Sequence, residues 1–313
     1  MHPGTKQVNE GSFAHILARC ERPLLVLAHP NDELACSGIL QRLRARIRVV
    51  FMTNGDGLAR TEHLDPVRYA AIRKAEALES LGTSGLDADQ ARFFGYSESE
   101  IYRNMARLKK SALRLSEVMA FFEPIRRSMA EAVYEFRPDV TFSVGFHGGH
   151  PEHGLAHFLG ALAVRNFARE VEADIPVYQF PEYVLTTLLP EKLRTGYPGE
   201  KYWIVLDGRE LETKKRMADC YLSRRPDFKK FRRIVGVLNL PQAVARRENP
   251  ADRFFGREQV SLVPGDFDYR RVPYRPGFLD HLLEDFEGTP ITFQECIRPI
   301  VVAFEEDAAA QRN

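Results

Sequence analysis

The chain has 313 residues, and its 44 basic and 43 acidic side chains give a formal net charge of +1. This balance argues against a strongly basic surface, so we expect neither a nucleic-acid partner nor an anionic membrane as partner. The hydrophobic fraction of 44% is ordinary for a globular protein, and the length suffices for one large domain with a substantial core.

Two features of the sequence concern the compartment of the protein. The four cysteines, at positions 20, 36, 220 and 296, are scattered and form no CxxC pair. The first ten residues, MHPGTKQVNE, lack the basic and apolar segments of a signal peptide, and no apolar run approaches membrane-spanning length. We therefore expect a reduced, cytoplasmic protein.

Apolar runs and amphipathic segments alternate along the first two-thirds of the chain. Short apolar runs predict buried strands, and apolar residues at helical spacing predict helices. The predicted strands cover residues 24–28, 47–52, 92–95, 138–145 and 175–180, with a weaker candidate at 202–206. The predicted helices cover residues 32–46, 66–81, 100–136 with a break at Pro124, 153–171 and 209–222. This alternation predicts an α/β fold with a Rossmann-like, mostly parallel sheet and helices on both faces.

The sequence divides into three segments. Residues 1–22 are interpreted as a short leader that contains one helical stretch, and residues 23–222 as the α/β domain. Residues 223–313 are rich in Arg, Pro and Phe and show few clear periodicities. We interpret this last segment as a C-terminal extension that either caps the functional site or makes contacts in a homo-oligomer.

The first candidate motif is HPNDE, which directly follows the first predicted strand and contains His29 and Asp32. A strand that ends in polar residues and leads into a helix places them at the carboxyl edge of the sheet, where open α/β folds bind ligands. We therefore expect both side chains in one crevice. An imidazole and a carboxylate together are typical ligands of a divalent metal.

A second motif, FHGGHPEHGLAH at residues 146–157, follows another predicted strand and opens a helix. We assign His153 as the third metal ligand; Zn²⁺ suits these donors, and Fe²⁺ is the other candidate. Zinc lowers the pKa of bound water to about 7, which supplies a nucleophile for attack on an amide carbonyl. His150 is the candidate donor to the developing oxyanion and the leaving amine. We expect His147 to lie in a loop near the pocket and His157 to be a packed group.

The segments AHPNDE, TNGD and GGHPEH, each after a predicted strand, together resemble the LmbE/PIG-L-like family of zinc-dependent N-deacetylases over roughly residues 22–222. The resemblance implies the same three metal ligands and a histidine at position 150 that assists the tetrahedral intermediate. It also implies removal of an N-acyl group, expected to be N-acetyl, from a small-molecule amino sugar or glycoside. Glu98 and Arg68 are the implied substrate contacts. The long extension points by analogy to a specialised substrate, such as one of secondary metabolism.

The sequence departs from the family pattern at one position. The family motif is usually His-Pro-Asp-Asp-Glu, and its first aspartate is the general base, whereas this chain has Asn31. An amide cannot accept the proton of the attacking water. Three interpretations remain open: an engineered, inactive form of an active enzyme; a natural enzyme that relies on the metal-bound water or on another carboxylate, such as Glu152, Asp56 or Glu98; or a relative that binds a sugar-like ligand or a partner in the same pocket.

Overall fold

The computed structural model describes residues 10–146, 150–181, 199–246, 249–271 and 285–310. His147, expected in a loop near the pocket, lies outside the described residues. The helices are α1 (Glu10–Arg19), α2 (Ser37–Leu43), α3 (Pro66–Thr83), α4 (Glu98–Lys110), α5 (Leu115–Phe136), α6 (Pro151–Glu170), α7 (Gly208–Asp219), α8 (Arg225–Arg246), α9 (Pro250–Phe255) and α10 (Arg298–Ala310). The strands are β1 (Pro23–Leu27), β2 (Arg48–Thr53), β3 (Ala91–Tyr96), β4 (Val140–Val144), β5 (Val177–Phe180), β6 (Lys201–Val205), β7 (Arg257–Leu262), β8 (Asp285–Phe286) and β9 (Thr289–Pro290).

Within the described residues, seven strands form the main sheet in the order β3-β2-β1-β4-β5-β7-β6. Strands β1 to β5 are parallel, and β7 runs antiparallel to β5 and β6. Every residue of β1 is buried, because β1 is paired on both edges and covered on both faces. The predicted α/β fold with a mostly parallel sheet is confirmed.

Central strands β1 and β4 are direct neighbours in the sheet. Leu25 of β1 is in register with Phe142 of β4, so both strands end at the same edge. The HPNDE segment follows β1, and the HPEH segment follows β4. Because the two strands are parallel, the topology brings both motifs to one crevice at the carboxyl edge.

One predicted helix break is wrong. Pro124 lies inside the continuous helix α5, and the interruption between α4 and α5 falls instead at Ser111, whose backbone is extended. A proline removes a single N–H donor from a helix. That loss is offset here because α5 buries an apolar stripe that includes Phe122, Ile125 and Met129. Among the described helices, none is both long enough and apolar enough to cross a bilayer.

Helix α1 contributes to the core although its residues belong to the predicted leader. The ring of Phe13 is buried, and its centroid lies 5.4 Å from that of Tyr178 on β5 and 5.0 Å from that of Tyr202 on β6. Such aromatic contacts stabilise the sheet edge beyond simple burial. Helix α1 therefore packs against β5 and β6 of the main sheet.

A strand from beyond residue 222 also lies within the main sheet, between β5 and β6. Its residue Glu258 is buried and accepts hydrogen bonds from the Ser37 hydroxyl, at 2.9 Å, and from the Gly38 backbone N–H, at 2.9 Å. Lys214 of α7, also buried, donates to the same carboxylate at 2.7 Å. The ion pair joins β7 to α7 and the two hydrogen bonds join β7 to α2, so β7 is tied to the helix that follows the first motif.

Replacing Lys214 with methionine should destabilise the protein by about 3–5 kcal/mol, because Glu258 would be left buried without its cation. The matched control is Lys215→Met. Lys215 is its neighbour in α7, is partly exposed and pairs with Asp252 at 3.1 Å. A pair of that kind typically contributes about 0–1 kcal/mol. Urea denaturation of both variants checks this, and equal losses of stability would contradict the importance of the buried pair.

Candidate metal centre

The turn after β1 holds Asp32 in a fixed orientation. Oδ2 of Asp32 accepts hydrogen bonds from the backbone N–H groups of Ala28 and His29, each at 2.9 Å. The second oxygen, Oδ1, lies 2.8 Å from His29 Nδ1 and 3.3 Å from His153 Nε2. One oxygen thus anchors the carboxylate to the backbone, and the other faces the two imidazoles.

His153 comes from the first turn of α6, which begins directly after His150. It is fully buried, and its Nε2 lies 3.1 Å from Nε2 of His29. Two facing imidazole nitrogens at this distance can share one N–H···N hydrogen bond or can bind one cation together. The structure thus brings His29, Asp32 and His153 together, with one ligand atom from each within 4.8 Å of the others.

This donor set fits a divalent metal. Imidazole and carboxylate ligands at the usual bond lengths around a tetrahedral zinc lie about 3.3 Å apart. The distances of 3.1 and 3.3 Å from His153 Nε2 are close to that value. Buried Oδ1 of Asp32 has no hydrogen-bond partner among the described residues. Burial alone would raise the pKa of Asp32, but His29 and His153 hold that pKa well below its usual value, so the carboxylate is ionised.

Glu33, which is fully buried, supports the HPNDE turn through hydrogen bonds. Its carboxylate accepts hydrogen bonds from the Asn31 backbone N–H at 3.0 Å, from the Ser80 hydroxyl at 2.8 Å and from the hydroxyl of Tyr221. Burial raises the pKa of Glu33 above its usual value. Glu33 thus joins the turn that carries His29 and Asp32 to α3 and to the chain after α7. Nothing in the sequence around Ser80 or Tyr221 marks either residue as a partner of Glu33.

Asn31 has a left-handed backbone conformation, with φ of 96°. Its side-chain oxygen accepts a hydrogen bond from the guanidinium of Arg73, which also donates to the carbonyl of Pro30. Arg73 is buried and is itself held by Glu76 at 3.3 Å. The amide oxygen is therefore engaged, and the NH₂ group, a donor only, is left for other partners.

Arg73 is the arginine of α3 that reaches this site. Arg68, the predicted substrate contact, is exposed near the start of the same helix and is not among the described residues that line the cavity. The difference follows from helix geometry: positions five residues apart lie about 140° apart around the axis, on different faces. The role of Arg68 as a substrate contact stays a prediction, and Arg73 is the arginine of α3 that lines the cavity.

Glu152, the residue before His153, is buried beside the cluster. One oxygen accepts a hydrogen bond from the Tyr102 hydroxyl at 2.6 Å, and the other lies 3.5 Å from His29 Nε2 and 3.9 Å from His150 Nδ1. Burial would raise the pKa of Glu152, but the surrounding histidines lower it below its usual value. Glu152 therefore adds a negative charge that orients His29 and His150.

His157 lies one helical turn beyond the cluster, in the core. Its Nδ1 is 2.7 Å from the carbonyl oxygen of Val144, and its Nε2 is 3.1 Å from the hydroxyl of Tyr269. Burial lowers the pKa of His157 to about 4, so the ring is neutral. With both nitrogens engaged, it is a packed group and supports the end of β4.

A cavity of about 710 Å³ opens beside the cluster and is lined by His29, Asn31, Glu98, His150 and Glu152. Glu98, at the start of α4, is half-buried. Burial raises its pKa to about 7; the charges on His29 and His150 oppose this, while those on Glu152 and Asp56 reinforce it. Asp56 itself is buried below the cavity wall, where it accepts hydrogen bonds from Ser97 and Ser99.

The outer wall of the cavity comes from later parts of the chain. It carries several cations and several aromatic rings, most of them on α7, α8 and α9. The cations are Lys214, Lys215, Arg224, Arg225, Lys229 and Arg232. The rings are Phe228, Phe231, Phe255 and Phe286. The wall therefore combines apolar ring faces with positive charge. The amino-acid composition does not show that these residues meet at one surface.

Comparison with known proteins gives a family match over part of the chain. Residues 24–164 match the family model described as PIG-L, GlcNAc-PI de-N-acetylase, and this range contains both metal motifs. The match confirms the resemblance to the LmbE/PIG-L-like family over those residues. No curated protein matches the chain.

Several solved structures share the fold. An N,N'-diacetylchitobiose deacetylase from Pyrococcus horikoshii, complexed with an inhibitor, is 17% identical with a TM-score of 0.53, over 83% of this chain and 94% of that one. A zinc-inhibited form of the teicoplanin deacetylase Orf2 is 11% identical with a TM-score of 0.52, over 79% of this chain and 100% of that one. At such identities the likeness concerns the fold.

Replacing His153 with alanine should abolish stoichiometric binding of a divalent metal, because one of the three proposed ligands is lost. His150→Ala is the matched control, since the His150 side chain is 40% exposed and lies outside the three-ligand set. Elemental analysis after loading with Zn²⁺ or Fe²⁺ measures the metal per chain. Retention by His153→Ala, or equal loss in both variants, would contradict the assignment.

Proposed function

We propose that this chain, whose residues 24–164 match the PIG-L family, is a metal-dependent hydrolase that removes an N-acyl group from an amino sugar or small glycoside. The observation that carries the proposal is the convergence of His29, Asp32 and His153 at the end of a substrate-sized cavity. A divalent ion held there supplies a Lewis acid and lowers the pKa of water. The acyl group is proposed to be acetyl.

His150 is proposed as the proton donor of the reaction. It lines the cavity, and its ring centroid lies 5.1 Å from that of His153. The Glu152 carboxylate, 3.9 Å from His150 Nδ1, stabilises a positive charge on the ring. In this assignment the imidazolium donates a hydrogen bond to the carbonyl oxygen of the substrate as negative charge develops there. It then transfers its proton to the leaving amine.

The C-terminal segment is proposed to cap the site. Arg225 and Phe228 of α8 belong to the residues that line the cavity, as does Phe286. Aromatic faces suit the apolar faces of a sugar ring, and cations suit hydroxyl or acidic substituents. On this proposal residues 223–313 determine which amino sugar is accepted. The cytoplasmic location, a homo-oligomer and a place in secondary metabolism stay predictions.

A second candidate function is binding without turnover. The observation that favours it concerns Asn31, which stands where the family motif has its general base. Its amide cannot accept a proton, and its oxygen already accepts a hydrogen bond from Arg73. Metal binding together with sugar binding, but no release of acetate from any amino sugar, would support this second function and overturn the first.

Replacing His150 with alanine should lower the rate of acetate release by about 10²- to 10⁴-fold, because a positioned proton donor is lost. Metal content should stay unchanged. The measurement is acetate released from a panel of N-acetylated glucosamine and galactosamine glycosides, with elemental analysis in parallel. His15→Ala, an exposed site in α1, is the control and should match the wild type. A fully active His150→Ala variant would remove His150 from the mechanism.

A further inference from the structure

We propose that Glu98 is a catalytic residue, accepting the proton of the attacking water in place of residue 31. This inference rests on the proposed hydrolase function and adds to it the identity of the base. It follows from the contacts of four candidate groups, Asn31, Asp56, Glu98 and Glu152, of which Glu98 is the one that accepts no hydrogen bond from the described residues.

Position 31 is excluded by its chemistry and by its contacts. The Asn31 oxygen accepts a hydrogen bond from the buried guanidinium of Arg73. The guanidinium is fixed by its bonds to Glu76 and Ser223, each at 3.3 Å, so the amide is held in one orientation. The group that Asn31 can offer to a ligand is therefore an NH₂ donor, which orients a carbonyl or hydroxyl but takes no proton.

The carboxylates of Asp56 and Glu152 already accept hydrogen bonds from other side chains of the protein. Oδ2 of Asp56 accepts hydrogen bonds from the Ser97 hydroxyl at 2.7 Å and from the Asn54 side-chain amide at 3.5 Å, and Oδ1 accepts one from the Ser99 backbone N–H at 3.1 Å. Asp56 is 4% exposed and is not among the described residues that line the cavity. The bonds from Ser97 and Ser99 fix the N-terminal turn of α4, and with it the backbone that carries Glu98.

Glu152 is similarly committed. Its first oxygen accepts from the Tyr102 hydroxyl at 2.6 Å, and its second lies 3.5 Å from His29 Nε2. Protonation of this oxygen would remove a negative charge from beside a proposed metal ligand. Glu152 therefore orients the cluster, and a proton acceptor is needed elsewhere in the cavity.

Glu98 meets the remaining requirements. Its side chain is half-buried and lines the same cavity as His29, Asn31 and His150. None of the described residues donates a hydrogen bond to it. The carboxylate lies against the backbone of Gly57: a Cβ added there would come within 2.1 Å of Glu98 Oε1. The glycine thus makes room for the carboxylate to lie inward, with its acceptor oxygens available to a water.

The proposed step balances in atoms and electrons. The water oxygen forms a bond to the acyl carbon while one water proton passes to the Glu98 carboxylate. The C–N bond then breaks, and its electron pair goes to nitrogen, which takes a proton from the His150 imidazolium. The proton on Glu98 restores His150, so the products are the carboxylic acid and the free amine, and both side chains return to their starting forms.

The first test compares Glu98→Gln with Glu62→Gln, an exposed control. Glu98→Gln should lower kcat for acetate release by about 10²- to 10⁴-fold. Its KM and metal content should change by less than about twofold, because glutamine keeps the shape of the side chain. Glu62→Gln should equal the wild type. A Glu98→Gln variant with wild-type kcat overturns the assignment of the base and leaves the hydrolase function intact.

The second test separates base catalysis from support of the fold. Formate added to Glu98→Ala should restore turnover by at least about tenfold, since a small carboxylate can occupy the vacated space, whereas His150→Ala should gain nothing. The double variant Glu98→Gln/Asn31→Asp should also exceed Glu98→Gln, because it returns a carboxylate to position 31. Failure of both rescues in folded, metal-loaded protein overturns the inference. A wild type that releases no acetate from any substrate in the panel overturns the proposed function itself.

Discussion

The arrangement of the site depends on the parallel pairing of β1 with β4. That pairing aligns two strand ends that are more than a hundred residues apart in the chain, so the turn with His29 and Asp32 faces the first turn of α6 with His153. The orientation of Asp32 is set by two backbone N–H groups, which hold one carboxylate oxygen and direct the other at the imidazoles. These supports come from the sheet and from the turns at its edge.

Much of this arrangement could be predicted from the sequence. The apolar runs predict the parallel strands. The His-x-x-Asp and His-x-x-His motifs that follow two of these strands predict a ligand site at the carboxyl edge of the sheet. The predicted helix break at Pro124 is wrong because the low helix propensity of proline is outweighed by the burial of the apolar stripe of α5. That burial depends on tertiary packing. The local spacing of apolar residues is sufficient to predict an element where contacts between neighbours in the sequence determine its structure.

Long-range contacts lay beyond such reasoning. Arg73 reaches Asn31, and Tyr221 reaches Glu33 from 188 residues away, yet neither residue carries a motif. Strand β7 enters the sheet antiparallel, and its Glu258 forms a buried ion pair with Lys214. These contacts depend on the folding of the whole chain, and they attach the C-terminal segment to the crevice. Asn31 therefore lies within a buried network that holds its amide, and Glu98 lines the same cavity.

The central claim is that His29, Asp32 and His153 hold one divalent ion. X-ray absorption spectroscopy of the zinc-loaded protein tests it most directly, because the scattering identifies the ligand atoms around the metal. The account predicts nitrogen and oxygen neighbours at about 2.0–2.2 Å, with multiple-scattering features of two imidazoles. A sulfur neighbour at about 2.3 Å, or a first shell without imidazole, would contradict it.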